Sequence, residues 1–427
     1  MTSSTGLRQF EVSFDATGLF DDSAAFGEGE LRQAAENYTD FFVYVPGWHA
    51  TKSSARRMTK RLFANLSEQL GGRRPEVAAV SVDWPFFLFP EDDPGSSMPT
   101  ESNGNQLAAS LGLAFPDAQF ELDELGDLLD RKPASLTELR RFHSLATALV
   151  RAPSQALEDS GPAAAFSANT VALFAYAASM SKTVHVDETD ADPTGALWSG
   201  AREVLRIVSY YEMSNRAGVI GRNKLGPLLR RLGSAPGHPR IHLIGHSYGA
   251  RMAAYALAGL DHDDTADPAA PWRTPVKSLT MLQGSLSHFA FADQRPSDHS
   301  AHGALASVAA RVDGPLISTY SSHDRFLGWW YPTACMLNHE DSQSAEELAY
   351  RWGAMGHDGL QGLVPKDIEM GPCGFEYDFG PGRQYRMDAS KIIATNQSAM
   401  CGAHSDIVRP EVVWALVAAS GGPGKPD

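Results

Sequence analysis

Residues 240–260 read RIHLIGHSYGARMAAYALAGL. Ile241 to Ile244 is a short apolar run of the kind that makes a buried parallel strand. It enters Gly245-His246-Ser247-Tyr248-Gly249, and an Ala-rich stretch of good helix formers follows. A bare G-x-S-x-G arises readily by chance, and a strand-to-helix turn with a capping serine would read the same way. The flanks give it weight, because strand, tight turn and helix are the surroundings that a nucleophile elbow requires. A serine on so sharp a turn needs small neighbours two residues away on either side, and Gly245 and Gly249 supply them. The following helix turns its amide ends toward the serine, which favours negative charge developing there. Ser247 is therefore the candidate nucleophile.

Outward from this stretch the pattern is that of a parallel sheet. Upstream, Asp40-Phe-Phe-Val-Tyr-Val45 is a buried-strand signal stopped by Pro46-Gly47-Trp48-His49. Thr51 to Leu70 reads as an amphipathic helix capped by Thr51 or Ser53 and ended by Gly71-Gly72, and Glu76 to Val82 as the next strand. Gln9 to Phe14 alternates like an edge strand, and Leu31 to Asn37 fits a short helix. From Pro85 the pattern changes to a Pro/Gly/Ser-rich loop, then to helical segments near Ala118–Leu129, Ser135–Val150 and Ala163–Met180, with no strand evident. This helical insertion reads as a lid or cap over a site, the alternative being a helical decoration remote from it. Leu205 to Tyr211 (LRIVSYY) returns to the core, and Gly221 to Leu232 leads as a helix into the elbow strand. Val276 to Leu282, Pro315 to Ser321 and 391–395 (KIIAT) read as the remaining strands, and Glu411 to Ala419 as the last helix. The resulting division is a core part at 1–84, the insertion at 85–200, a second core part at 201–419 and a tail at 420–427 too rich in Gly and Pro to fold.

The 427 residues carry 36 Lys plus Arg against 51 Asp plus Glu, a net charge of -15. That balance argues against nucleic acid or anionic membrane surfaces as partners. The three cysteines, Cys335, Cys373 and Cys401, make neither a disulfide framework nor a CxxC site. MTSSTGLRQFEVSF lacks the basic and apolar regions of a secretory signal, so the cytoplasm is the expected location. Gly161 to Ser181 carries no charge, but its alanine and polar content reads as a buried or half-buried helix rather than a membrane span. Asp298-His299-Ser-Ala-His302 holds ligand-type residues without a third anchored partner and reads as a solvated loop, so no metal is expected. No Walker A or dinucleotide-binding glycine motif follows a strand, and no cofactor is expected.

A serine hydroxyl needs a base beside it, and the base needs an orienting acid. Asp324 directly follows the Pro315–Ser321 strand and is the candidate acid. The alternative is that it only caps the next element. Two histidines compete for the base. His404, in Cys401-Gly-Ala-His-Ser-Asp406, follows the last expected strand and is preferred; His357, in Met355-Gly-His-Asp-Gly359, is nearer to Asp324 in sequence. Choosing His404 leaves a long gap, read as a second insertion over about 340–385. His246 and His323 read as surface or supporting residues. The amide of Tyr248, with that of Trp48 or Gly47, is expected to form an oxyanion hole, since Pro46 has no N–H to give. Trp84, Phe86, Trp329 and Trp330 fall near strand ends, where they either line an apolar substrate pocket or belong to the core.

FFVYVPGWHAT, VSVDWP, SYYEMSNRAGVIG, IHLIGHSYGAR, LTMLQGSLSHFAF, ISTYSSHDRFLGWWYP and GAHSDI resemble the corresponding pieces of α/β-hydrolases, specifically of a bacterial esterase/lipase-like branch. The resemblance covers the core but not the helical insertion. It implies an eight-stranded, mostly parallel, doubly wound sheet and the triad Ser247, Asp324 and His404. This chain departs from it at Pro46-Gly47, where relatives usually carry His-Gly. The expected activity is that of a serine hydrolase acting on a small-molecule carboxylic ester. An amidase, thioesterase or lactonase with the same triad, or a non-catalytic binding protein on this fold, are the other readings.

Overall fold

The computed structural model describes residues 6–15, 28–47, 51–87, 89, 102–112, 114–149, 169–184, 193–260, 274–295, 299–332, 350–398 and 400–422. Its centre is one eight-stranded sheet in the order β1-β3-β2-β4-β5-β6-β8-β7, with every pairing parallel. The strands are β1 (Arg8–Ser13), β2 (Asp40–Val45), β3 (Val77–Asp83), β4 (Arg240–His246), β5 (Val276–Leu282), β6 (Leu316–Tyr320), β7 (Lys366–Glu369) and β8 (Gln384–Asp388). All six residues of β2 are buried, as expected of an unbroken apolar run in a strand covered on both faces.

Alternate side chains feed two separate cores. Phe41, Val43, Val45, Ile241, Leu243, Leu279 and Met281 join the larger one. Phe42, Tyr44, Ile244, Leu282 and Ile317 join the smaller. On the smaller side lie α2 (Lys52–Leu70) and the C-terminal helix (Pro410–Ala419), which contribute Leu62, Phe63, Leu66, Val413 and Leu416. Thr51 caps α2 by accepting a hydrogen bond from the Ser54 amide. The other helices are α1 (Glu28–Ala34), α3 (Gly104–Leu111), α4 (Gln119–Arg131), α5 (Leu136–Ala148), α6 (Thr170–Val184), α7 (Pro193–Ile220), α8 (Gly226–Gly233) and α9 (Tyr248–Ala258), and the C-terminal one is α10. All of these except α10 supply side chains to the larger core. Helices thus cover both faces of the sheet.

Three expectations need correction. The Leu205–Tyr211 stretch is core, but it lies inside the 28-residue α7, which runs straight through the expected boundary at 200. Every residue from 201 to 211 is buried, so the apolar run reflects a helix enclosed on all sides. KIIAT is a turn. The amides of Ile392 and Ile393 donate to Ala389 O, and those of Ala394 and Thr395 to an Asp406 carboxylate oxygen, so these four join no strand ladder. The last strands in the sheet are instead β7, inside what the sequence presented as an insertion at 340–385, and β8, which begins at the end of that stretch. β7 has one apolar residue in four and β8 alternates polar and apolar residues, with Arg386 of β8 paired to Asp367 of β7 (2.6 Å), so no apolar run marks them. At the tail, Ser420 is buried and its hydroxyl accepts a hydrogen bond from Arg73 at 3.1 Å; residues 423–427 lie outside the described part. Of the uncharged 161–181 stretch, 161–168 lie outside it as well, and 170–181 fall in α6. Among the described residues no helix is long and apolar enough to cross a membrane.

At the amino edge of the sheet, Asp40, His242 and Ser278 form a buried polar chain. His242 Nε2 donates to Asp40 (2.9 Å), and the Ser278 hydroxyl donates to His242 Nδ1 (2.9 Å). Arg240 and Thr39 also donate to Asp40, at 2.8 and 2.7 Å. The residue types are those of a triad, but Ser278 sits in the middle of β5, near the amino end of the sheet, and not on a turn between a strand and a helix. Burial pushes the Asp40 carboxyl up, and its hydrogen bonds from His242, Arg240 and Thr39 more than offset this and hold it below the usual carboxylate range. Burial pushes the His242 imidazole down, and Asp40 offsets this only in part. Both groups bind protons more readily in the unfolded chain, so both make stability fall with pH. Melting temperature is expected to decline as pH drops below the ordinary histidine value of 6.5, and again below the ordinary carboxyl value of 3.8. Asp40→Asn should cost about 2–3 kcal/mol at neutral pH and flatten the lower part of that profile. Thermal melts across pH for both proteins check this.

Candidate active site

The carboxyl ends of the strands carry the candidate residues. β4 ends at His246, Ser247 follows, and α9 starts at Tyr248. Ser247 has φ 56° and ψ -122°, a conformation a non-glycine residue holds only under strain of about 1–3 kcal/mol. The elbow can form because its glycines let the chain close up. A Cβ on Gly245 would lie 2.4 Å from Ala250 Cα, and one on Gly249 would lie 2.1 Å from Val45 O. The Ser247 amide donates to Leu282 O (3.0 Å), and the Ser285 amide donates to Ser247 O (3.1 Å), which ties the elbow to the end of β5.

Asp324 and His404 come from two loops joined to each other. Asp324 and Gly402 form an antiparallel bridge, and the Ala403 amide donates to His323 O at 2.9 Å. Gly402 adopts φ 58°, and a Cβ there would lie 2.4 Å from His323 O, so only glycine lets the histidine loop approach this closely. The result is a continuous chain of hydrogen bonds. His404 Nδ1 donates to Asp324 Oδ2 at 2.7 Å, and His404 Nε2 lies 2.8 Å from Ser247 Oγ. Ser247, Asp324 and His404 are 1%, 0% and 6% exposed. Such an arrangement can take a proton from the serine hydroxyl and hold the resulting imidazolium against a carboxylate.

His357 is elsewhere. Its ring packs on Gly328, and its Nε2 is 3.9 Å from Asp358. His246 is buried and donates from Nε2 to the main-chain oxygen of His404 at 3.0 Å, a supporting role; His323 is exposed.

Of the oxyanion candidates, the Tyr248 amide is at the first turn of α9 and Gly47 lies against the serine, since a Cβ on it would be 2.7 Å from Ser247 Cβ. Trp48 is outside the described residues. Trp84 is fully buried, donates from its indole to Pro46 O at 3.0 Å, and meets Phe86 edge-on. It therefore holds the Pro46-Gly47 loop from behind. Trp330 stacks on Phe326, whose ring is 5.1 Å from that of His404. Trp330 is 1% exposed and Trp329 half-buried. Tyr248 reaches the other way, donating its hydroxyl to Tyr210 O of α7 at 2.9 Å. Burial raises its phenol well above the usual tyrosine range.

Two residues that the sequence reading passed over complete the constellation. Gln283 donates from its amide nitrogen to Asp324 Oδ2 (3.0 Å) and to Gly356 O (2.9 Å), and its amide oxygen accepts from Thr319 (3.1 Å). Ser285 Oγ lies 2.9 Å from Ser247 Oγ. Both follow β5, the neighbour of the elbow strand, and that adjacency was the one available signal.

Among the described residues no group of three or more His, Cys, Asp or Glu is placed to hold a metal ion. Asp298 lies outside them. A cavity of about 680 Å³ beside β7 and β8 shares no residue with the Ser247 group. Compared with protein-family models, with curated proteins and with solved structures, the chain matches none.

Proposed function

We propose that the chain is a serine hydrolase of α/β-hydrolase fold that cleaves a carboxylic ester through an acyl-enzyme. The observation that carries this reading is the unbroken Ser247–His404–Asp324 hydrogen-bond chain on a strand–turn–helix at the carboxyl edge of a parallel sheet. Ser247 Oγ attacks the ester carbonyl carbon while His404 Nε2 takes its proton. The tetrahedral intermediate collapses, the carbon–oxygen bond to the alcohol breaks, and His404 protonates the departing oxygen. Water then repeats the sequence on the acyl-enzyme, releasing the acid and returning the proton to Ser247. The amides of Tyr248 and Gly47 are assigned to the carbonyl oxygen as it gains charge. The chain leaves the sheet at Asp83, the carboxyl end of β3, and returns through α7, which packs on the elbow helix. That course supports assigning α3–α6 the part of a cap over the ester site.

The test is hydrolysis of p-nitrophenyl acetate and butyrate by wild type and Ser247→Ala. The substitution is expected to abolish turnover. A wild type that neither hydrolyses these esters nor reacts with a fluorophosphonate would leave a binding protein in its place.

A further inference from the structure

We propose that Ser285 is a fourth catalytic residue, its hydroxyl changing hydrogen-bond direction with Ser247 Oγ as His404 gains and loses its proton. This rests on the serine-hydrolase reading and extends it to the nucleophile's own environment.

Counting protons fixes the directions. An ionised carboxylate only accepts, and Asp324 is surrounded by donors: His404 Nδ1 and Gln283 Nε2 on Oδ2, and the Leu327 amide on Oδ1. His404 Nδ1 therefore carries a hydrogen, and in the neutral imidazole Nε2 is an acceptor. Ser247 must then spend its single proton on His404 Nε2. The 2.9 Å contact between the two hydroxyls leaves one assignment, with Ser285 donating to Ser247 Oγ. Ser285 cannot drift from this position. It is 1% exposed, and its amide is bonded to the main-chain oxygen of Ser247 itself. It stands on the same three-residue segment as Gln283, which holds the acid at the other end of the chain.

A donor on Oγ matters whenever that oxygen carries negative charge. This happens twice, as Ser247 loses its proton during attack and as it is expelled when the acyl-enzyme is hydrolysed. A buried hydroxyl already aimed at Oγ stabilises both transition states more than the neutral resting hydroxyl. Once His404 holds the second proton the direction reverses. The imidazolium donates from Nε2 to Ser247 Oγ, so the Ser247 proton must turn to Ser285 Oγ, which now accepts. Only a group that both donates and accepts serves the two states. Removing it strands a buried donor in the acid form and merely a spare lone pair in the neutral form. The stranded donor is the costlier loss.

The experiment is kcat/KM for p-nitrophenyl acetate in wild type, Ser285→Ala, Ser285→Cys and Ser285→Thr, with the rate of fluorophosphonate labelling of each. Alanine is expected to lower both kcat/KM and the labelling rate about tenfold or more. Cysteine keeps the volume with a weak donor and should follow alanine; threonine keeps the hydroxyl and should restore both rates. Wild-type rates in Ser285→Ala, or in Ser285→Cys, would overturn the proposal by making Ser285 a packing residue. Failure of the underlying reading looks different, because wild-type Ser247 would then not label at all.

Discussion

His404→Ala is expected to lower kcat/KM for p-nitrophenyl acetate by about 10⁴–10⁶-fold, while His357→Ala stays within about twofold of wild type. The size follows from what His404 touches. It is the one ring bonded to both Ser247 Oγ and Asp324, at 2.8 and 2.7 Å. Without it the serine keeps its proton, and hydroxide or water must act as base. His357, whose ring sits on Gly328 with Nε2 3.9 Å from Asp358, is nearer to Asp324 in sequence but not part of this chain. Steady-state rates for the two variants decide the matter. An inactive His357→Ala beside an active His404→Ala would mean that the base is misassigned.

Asp324→Asn should cost about 10³–10⁴-fold in kcat, for a reason specific to this site. Both carboxylate oxygens are faced by donors, Oδ1 by the Leu327 amide and Oδ2 by Gln283 and His404. An asparagine has one acceptor and one NH₂ group, so either orientation sets donor against donor. If the NH₂ faces the histidine, the imidazole moves its proton to Nε2 and can no longer accept from Ser247. If it faces Leu327, the ring is oriented correctly but the buried amide of Leu327 is left unpaired. The second orientation costs stability, the first costs chemistry. Measuring kcat together with the melting temperature separates them, and a variant with wild-type kcat would remove Asp324 from the catalytic set.

Much of this site was legible in the sequence because strand, elbow and loop positions have local signals. Asp40–Val45 and Val276–Leu282 were bounded by their apolar runs, and both match the observed strands residue for residue. Gly245 and Gly249 announced the elbow through the same steric demand that the structure displays. Signals that depend on partners were not legible. β8 is half polar because Arg386 is satisfied by Asp367 on the neighbouring strand, and KIIAT looked like a strand because nothing local reveals that Asp406 takes its amides. The buried LRIVSYY stretch was apolar for helical rather than sheet reasons. Gln283 and Ser285 act through side chains that meet Asp324 and Ser247, 41 and 38 residues away in sequence. No window along the chain contains both partners.

The two Asp–His–Ser groupings also show why residue type alone decides little. Asp40, His242 and Ser278 are hydrogen-bonded in the same order as Asp324, His404 and Ser247. Only the second set has a serine on a strained turn at a helix amino terminus, with Gly47 against it. The first set stabilises the amino edge of the sheet, and its titration is expected in melting curves rather than in rates.

The most direct measurement is mass spectrometry of wild-type protein acid-quenched during turnover of p-nitrophenyl butyrate, with the modified peptide sequenced. The expected result is a butyryl ester on Ser247 that is absent from Ser247→Ala. Turnover with no acyl group on Ser247, or an acyl group that persists in Ser247→Ala, would contradict the central claim.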